Sequence, residues 1–344
     1  MTKRATIILS GGKAERFQSE QQTWQDKALI ELFGKPLLIH AVENVQNLVE
    51  EIVISVNDKA RKTRYSEVLK KHNVKNVRLL IDEKIDQMGG PLVAILTGLK
   101  SVKADYCFTL PCDMPLLQPK IVEYMFNIIK NARVVVPMWP NGRLETLTMV
   151  LERKSALEIA STLCSLKRPR SDDIIRGALN VLFVSTVGEI RALDPELKSF
   201  VNINSCEDLS QLQPRRVQGT ITENMQLNLG ALPTLKLQRF RDAASQSKNG
   251  KLSEATRIFA SCANQLEREN SFFWAAISRE NEGKSLLERA GQVSEGKKAL
   301  LKAAANYGLE AEMHERNRCV FLAERARSDK AWCEAHSEPH RVIY

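Results

Sequence analysis

The sequence LSGGKAERF at residues 9–17 decides how the surrounding chain is interpreted. It follows ATIIL at residues 5–9, an apolar, β-branched segment typical of a central parallel strand that is buried on both faces. Gly11 and Gly12 let the backbone approach a ligand closely, and Lys13 and Arg16 add positive charge. The stretch therefore predicts an anion-binding loop after the first strand. Its spacing fits neither the dinucleotide fingerprint nor the Walker loop, and an ordinary turn is the alternative.

Alternating strand and helix patterns continue along the first 212 residues. The segments 52–56, 77–81 and 106–110 are predicted to be strands, the last of them buried, and residues 58–72 and 92–102 are predicted to form helices between them. This order predicts an α/β fold with a doubly wound, mostly parallel sheet and right-handed crossovers. Ligands bind such sheets at the carboxyl ends of the strands.

The length allows a protein of two domains, and a preference for small anionic molecules explains its positive charge as well as nucleic-acid binding would. A chain of 344 residues can bury two cores, and its net charge of +9 has no dominant basic tract, so nucleic-acid binding is not expected. No apolar run is long enough to span a bilayer, and residues 1–12 show no signal-peptide pattern. Seven cysteines without a C-x-x-C pair favour reduced, buried thiols. We expect a soluble, cytoplasmic protein with no membrane partner.

Two charged residues are candidates for phosphate and metal chemistry. Lys27 follows a polar segment at residues 18–25 and supplies a compact positive charge suited to a nucleotide phosphate, although a lone lysine is more often solvated surface. Asp113 follows the strand at 106–110, where a carboxylate can hold Mg²⁺ while the metal bridges phosphate oxygens. Its alternative role is to cap a turn before Met114 and Pro115. Asn202 and Asn204 alternate along residues 200–204, which predicts a strand with both side chains on one face.

Five further motifs give these candidates a common context. In chain order they are DKALIEL at 26–32, GKPLL at 34–38, GGPLVAI at 89–95, LPCDMPLL at 110–117 and FVNINSCEDL at 200–209. Together they resemble the MobA-like nucleotidyltransferase family, and most closely its molybdenum cofactor guanylyltransferases. The resemblance covers about the first 212 residues. It implies a Rossmann-like nucleotidyltransferase fold, Mg²⁺ as cofactor, GTP as nucleotide and a molybdopterin-type acceptor.

The resemblance also assigns roles to individual residues. It implies catalytic roles for Lys27, Asp113 and Arg16, and a metal site formed by Asp113, Asn202 and Asn204. Either Asp82 or Glu83 matches the position that contacts the base. The implied nucleotide-binding residues are Leu9, Ser10, Gly11, Gly12, Lys13, Lys27, Ser55, Asp82, Gly90 and Asp113. A basic loop at residues 167–171 is a candidate site for the acceptor's phosphate.

The rest of the chain has no counterpart in that family. The domain expected at residues 1–212 is followed by a predicted linker at 213–233 and an α-helical domain at 234–344. Helices are predicted at 235–247, 252–269, 271–289, 294–306 and 309–335, with breaks that include Gly308. Residues 251–255, followed by Phe259 and Ala263, resemble the second helix of a tetratricopeptide hairpin, although no clean repeat follows, and the helical domain is a candidate for binding a protein partner. Cys319, Cys333, His336 and His340 lack the spacing of a zinc site.

The favoured function is Mg²⁺-dependent transfer of GMP from GTP to molybdopterin, with release of pyrophosphate. A related transferase could instead use CTP or GTP on a cobamide, phospholactate or sugar phosphate acceptor. A different class of function is a noncatalytic nucleotide-binding scaffold that serves the partner of the helical domain.

Overall fold

The computed structural model describes residues 2–11, 26–86, 88–204, 206–213 and 217–338. The chain divides into two compact units. The first unit comprises Met1–Ala160 and Pro169–Asn228, and the second comprises Ser161–Arg168 and Leu229–Tyr344. The second unit is therefore discontinuous in sequence.

The first unit is built on one mixed sheet with helices, which confirms the predicted α/β class. Within the described residues the sheet has eight strands, in the order β10-β9-β7-β8-β6-β1-β4-β5, and β2 and β3 form a separate hairpin. The strands are β1 Arg4–Leu9, β2 Glu31–Leu32, β3 Lys35–Pro36, β4 Glu51–Val56, β5 Val77–Ile81, β6 Tyr106–Pro111, β7 Val134–Met138, β8 Met149–Glu152, β9 Asn180–Ser185 and β10 Met225–Asn228. The helices are α1 Leu37–Glu43, α2 Lys59–Lys71, α3 Pro91–Ser101, α4 Pro119–Ile128, α5 Arg153–Ser165, α6 Asp172–Ala178, α7 Glu189–Leu193 and α8 Cys206–Gln211.

Strand β1 lies at the centre of the parallel part of the sheet. It pairs in parallel with β4 on one side and with β6 on the other, and β5 pairs in parallel with β4. The antiparallel strand β8 lies between β6 and β7. Ala5, Ile7 and Ile8 are fully buried, as expected for an apolar strand covered on both faces. The four strands predicted at 5–9, 52–56, 77–81 and 106–110 are confirmed.

Two segments of the first unit differ from the sequence prediction. Residues 201–204 form no strand. They follow a 3₁₀ helix at Lys198–Phe200 and are not part of any sheet among the described residues. The alternation there reflects the packing of Val201 and Ile203 against Leu32 and Leu37. The predicted linker at 213–233 contains β10, which pairs antiparallel with β9, and the division between the units falls after Asn228.

The second unit is helical. Besides the last turn of α5, its helices are α9 Thr234–Lys248, α10 Leu252–Arg268, α11 Phe272–Leu287, α12 Val293–Arg316 and α13 Val320–Ser337. The predicted break at Gly308 is wrong, because α12 continues through this residue. A helical glycine costs only about 1 kcal/mol, which burial of Ala304, Tyr307 and Ala311 on the same helix can offset. The protein partner of this unit stays a prediction.

A buried ionic cluster forms within the helical unit. The Arg168 guanidinium donates to Glu280 Oε2 at 3.0 Å and to Asp329 Oδ2 at 2.7 Å, and the Tyr307 hydroxyl donates to Glu280 at 2.6 Å. Burial alone would raise the pKa of Glu280, but the Arg168 and Lys284 charges hold it below its ordinary value. Arg168 is therefore committed to these carboxylates, which argues against its predicted role in binding an acceptor's phosphate.

Within the described residues, no helix is long and apolar enough to cross a membrane. The six cysteines whose side chains are described are all buried, and no disulfide joins any of them to another described residue.

Gly98→Ala is expected to lower the free energy of unfolding of the first unit by about 1–3 kcal/mol. A Cβ at this position of α3 would lie 2.5 Å from the side chain of Ile7 in β1, which is fully buried, so one of the two would have to shift within the core. Urea unfolding, with hydrogen exchange of α3, measures the effect. Gly308→Ala is the control, because its Cβ would meet only the Lys330 stem at 3.7 Å. That variant should gain about 0.5–1 kcal/mol from helix propensity. Equal stability of Gly98→Ala and the wild type would contradict the close packing of α3 on β1.

The helical unit is expected to lose stability in acid because of Glu280. A carboxyl whose folded pKa is lowered contributes stability above its unfolded pKa and loses that contribution as the pH falls through the folded pKa. The protection of α11 against hydrogen exchange, compared between pH 7 and pH 3, should therefore depend less on pH in Glu280→Gln than in the wild type. Glu312→Gln is the control, since Glu312 forms an exposed pair with Arg316. The same pH dependence in both variants would be evidence against this role of Glu280.

Candidate functional site

The order of the strands creates a crevice beside β1. Within the sheet, β4 and β5 lie on one side of β1, and the chain then returns to form β6 on the other side of β1. In doubly wound sheets, ligands bind at the carboxyl ends of the strands where the order reverses in this way. Ser10 and Gly11 follow β1 at this edge, and Cys112 and Asp113 follow β6.

Lys27, Asp113 and Asn204 come together in this crevice. The Lys27 ammonium donates to Asp113 Oδ2 at 2.5 Å and to Asn204 Oδ1 at 2.7 Å. The Lys27 and Asp113 side chains are 15% and 20% exposed, so water screens their contact only in part. Lys27 begins a 3₁₀ helix, Lys27–Leu29, which Asp26 caps by accepting the Ala28 N–H. The cluster joins three of the residues that the sequence analysis singled out.

Backbone contacts bring Asn204 beside Asp113. The Ile203 N–H donates to the Asp113 carbonyl at 2.9 Å, and the Asn204 N–H donates to Asp208 of α8 at 2.7 Å. Asn202 is placed differently, since its side-chain amide donates to the Phe200 carbonyl at 3.4 Å. No hydrogen bond joins Asn202 to Lys27 or Asp113 within the described part of the chain. The strand predicted for the two asparagines is absent, and of the two only Asn204 contacts Lys27, so a metal site that includes Asn202 stays a prediction.

Asp113 retains a free coordination position. Its Oδ1 is buried and accepts no hydrogen bond from any described residue. Within the described residues there is also no group of three or more His, Cys, Asp and Glu side chains that could hold a metal. Mg²⁺ is commonly held by one or two carboxylates together with water and substrate phosphates, rather than by a complete protein cage. The donor set of Asp113 and Asn204 fits such a shared site.

A cavity of about 210 Å³ opens at this edge of the sheet. Seven of the predicted nucleotide-binding residues line it: Leu9, Ser10, Gly11, Lys27, Asp82, Gly90 and Asp113. Ser55 does not line it but donates a hydrogen bond from its hydroxyl to Asp82. Gly12, Lys13 and Arg16 lie outside the described residues. Asp26, Asn57 and Leu147 also line the cavity and were not predicted.

Gly11 and Asn57 contact each other at the mouth of the cavity. The Asn57 amide donates to the Gly11 carbonyl at 2.7 Å, and a Cβ on Gly11 would lie 2.4 Å from Asn57 Oδ1. A side chain at position 11 would therefore displace the amide. The only hint of Asn57 in the sequence is its place directly after the predicted strand at 52–56.

Asp82 and Glu83 have different environments although they are adjacent. Burial raises the pKa of Asp82, while the hydrogen bond from Ser55 and the charge of Arg61 lower it in part. Glu83 pairs instead with Lys100 at 2.7 Å, and the side chains of Glu83 and Lys100 are 35% and 45% exposed. Only Asp82 of this pair lines the cavity beside Lys27, whereas both line a neighbouring depression of about 370 Å³. Asp82 is the better placed of the two for a ligand in the crevice.

Cys112 lies beside the cluster but is a poor nucleophile. Burial, together with the nearby Asp113 charge, raises the pKa of its thiol to about 12. Because a thiol must ionise to react, Cys112 stays unreactive at neutral pH. The site therefore has charges for binding and neutralising an anion, and this thiol supplies no covalent chemistry.

Comparisons with known proteins agree with this architecture. Residues 6–178 match the model of the MobA-like NTP transferase domain, which is half of the chain. A probable molybdenum cofactor guanylyltransferase of Methanosarcina acetivorans is 33% identical over 210 residues, which are 61% of this chain and 89% of the relative. A molybdenum cofactor guanylyltransferase of Shewanella putrefaciens is 30% identical over 205 residues, 60% of this chain and 93% of the relative. The chain belongs to the MobA-like NTP transferase family and is a nucleotidyltransferase.

Proposed function

We propose that the protein transfers GMP from GTP to a molybdopterin-type acceptor with the help of Mg²⁺ and releases pyrophosphate. The observation that carries the proposal is the cluster of Lys27, Asp113 and Asn204, which lies where the strand order reverses. The chain's membership of the MobA-like family gives this cluster its context. The relatives at 30–33% identity align with this chain over most of their own length, and they are named for guanylyl transfer to the molybdenum cofactor. The name of these relatives supports GTP and the acceptor, and the cluster supports phosphate chemistry.

The nucleotide phosphates would lie against the end of β1. The backbone of Ser10 and Gly11 borders the cavity there, and a glycine lets the chain approach a phosphate closely. Lys27 is near enough to bring its ammonium from Asp113 and Asn204 to a phosphate oxygen. Asp82 would accept hydrogen bonds from the N1 and N2 groups of guanine, with Ser55 fixing the position of its carboxylate.

Asp113 and Asn204 would hold Mg²⁺, with Asn202 as a further candidate ligand. When bound, the ion would neutralise negative charge on the phosphates. The unpartnered Oδ1 of Asp113 is the observation that supports this assignment. Lys27 contacts Asp113 through Oδ2 and leaves Oδ1 open, whereas it occupies Asn204 Oδ1 and would have to release this oxygen for Asn204 to hold the ion.

The reaction needs no covalent intermediate with the protein. An oxygen of the acceptor's terminal phosphate attacks the α-phosphorus of GTP and forms a new phosphorus–oxygen bond. The bond from the α-phosphorus to the bridging oxygen of the β-phosphate breaks, and pyrophosphate leaves with that electron pair. Positioning and neutralisation of charge lower the barrier of such a transfer. The residues of the crevice supply both effects.

Asp113→Asn is expected to lower pyrophosphate release by about 100-fold or more, because the metal would lose its charged ligand while β6 stays packed. The assay offers GTP, CTP, ATP and UTP with Mg²⁺ to the full chain, together with molybdopterin or another phosphorylated acceptor. Asp105→Asn is the control, since Asp105 is exposed at the opposite end of β6. Full activity of Asp113→Asn would refute the metal assignment. Preference for CTP, or for a cobamide, phospholactate or sugar phosphate, would refute guanylyl transfer to molybdopterin.

Lys27→Ala is expected to change two affinities in opposite directions. The affinity for GTP should fall, because a positive charge near the phosphates is lost. The affinity of the nucleotide-free protein for Mn²⁺, used as a spectroscopic probe of the Mg²⁺ site, should rise, because the ammonium no longer competes for Asp113 and Asn204. Calorimetry with GTP and electron paramagnetic resonance with Mn²⁺ measure the two effects, and Lys35→Ala, in the exposed pair with Glu43, is the control. Unchanged affinities for both ligands would place Lys27 outside the site.

A further inference from the structure

A second group of polar side chains lies directly behind the Lys27 cluster and is buried. The Asp26 carboxylate accepts a hydrogen bond from Arg61 Nε at 2.8 Å and another from the Tyr65 hydroxyl at 2.9 Å. The side chains of Asp26 and Arg61 are each 4% exposed, and Tyr65 is fully buried. Arg61 and Tyr65 are four residues apart on α2, so they lie on the same face of this helix. This face of α2 therefore holds Asp26 from two sides.

The same two residues of α2 also hold the end of β1. The Tyr65 hydroxyl lies 2.7 Å from the Ser10 hydroxyl, and Arg61 Nη1 donates to the Ser10 carbonyl at 3.2 Å. Ser10 immediately precedes Gly11 at the mouth of the cavity. Arg61 and Tyr65 thus fix the distance between the Ser10 end of the crevice and Asp26.

Asp26 transmits this position to Lys27. Its side chain caps the 3₁₀ helix that starts at Lys27, so the backbone from which the lysine extends is held at its first residue. A lysine side chain is long and flexible and loses much rotamer freedom when it is held in one place. A fixed starting point limits the positions that the ammonium can reach to the region between Ser10 and Asp113.

The chemistry of the network favours positioning over stability. A buried ion pair loses hydration on both partners, and apolar residues of similar volume often stabilise a core equally well or better. Hydrogen bonds to a carboxylate, in contrast, are directional and fix geometry. The carboxylate of Asp26, the residue directly before Lys27, accepts three such hydrogen bonds, from Arg61, from Tyr65 and from the Ala28 N–H.

We propose that Arg61 and Tyr65 are positioning residues for nucleotidyl transfer, which act through Asp26 to place the Lys27 ammonium. The inference rests on the proposed function only in that Lys27 is taken to contact the nucleotide phosphates. Neither Arg61 nor Tyr65 lines the cavity, so neither needs to touch the substrate.

The first test is Tyr65→Phe in two backgrounds. The change removes one hydroxyl and leaves the ring in the core. In the wild-type background kcat/KM should fall by about tenfold or more, since small displacements of a catalytic group are known to cost up to 100-fold. In the Lys27→Ala background the same change should have an effect of less than about twofold, because the side chain that the network positions is gone. An equal loss in both backgrounds, or no loss in the wild type, would overturn the proposal.

Tyr307→Phe is the matched control. Tyr307 is also fully buried and also donates to a carboxylate, that of Glu280, but it belongs to the helical unit. It should leave kcat/KM unchanged. If Tyr65→Phe fails to fold by circular dichroism, Arg61→Lys replaces it, because that variant keeps the charge and loses the directional Nε contact. Loss of kcat/KM in Tyr307→Phe to the same extent would mean that buried tyrosines matter only for folding and would overturn the proposal.

A second measurement does not depend on turnover. Acylation of lysines by an N-hydroxysuccinimide ester, followed by mass spectrometry, reports how freely the Lys27 amine reacts in the nucleotide-free protein. Lys27 should react slowly in the wild type, where it is 15% exposed and paired, and faster in Tyr65→Phe, while Lys35 is unchanged in both. If no triphosphate yields pyrophosphate, the proposed function fails, yet this result still decides the positioning role. Equal reactivity of Lys27 in both proteins would overturn it.

Discussion

The contact between the Lys27 ammonium and the Asp113 carboxylate joins the parts of the molecule on which the site depends. The two residues are 86 positions apart in sequence, and Asn204, the third member of the cluster, is 177 positions from Lys27. The parallel pairing of β1 with β6 places Asp113, just after β6, beside the Ser10 and Gly11 end of the crevice. The geometry of the site is therefore a direct consequence of the strand order, and any change that shifts β1 relative to β6 also shifts the charges.

The inner strands of the parallel core were predictable because they are short and mostly apolar. Residues 5–9, 52–56 and 106–110 are typical of strands buried on both faces, whereas β5 contains Arg78 and is partly exposed at the edge of the sheet. The segment 201–204 misled the prediction because Val201 and Ile203 are buried in alternation without strand pairing. Strand β10 was missed for the opposite reason, since Leu227 is its one buried residue and an edge strand gives a weak pattern.

The candidate site was predictable where residue type alone indicates chemistry. A lysine after a polar segment and an aspartate after a buried strand suggest phosphate and metal binding without knowledge of their neighbours. Asn57 and Asp26 were missed because their importance comes from contacts 46 and 35 residues away along the chain, with Gly11 and with Arg61. Sequence spacing carries no information about such pairs until the sheet and α2 are assembled.

The discontinuity of the helical unit has a consequence for the order of events during synthesis. Arg168 belongs to this unit, but its partner Asp329 follows 161 residues later in the chain. At about 5–20 residues per second, a ribosome needs roughly 8–30 s to cover that distance. The guanidinium must stay hydrated during this interval, because a buried cation without its carboxylates is strongly unfavourable. The nascent chain therefore carries the segment 161–168 in an unfinished state, available to chaperones, until translation has passed α13.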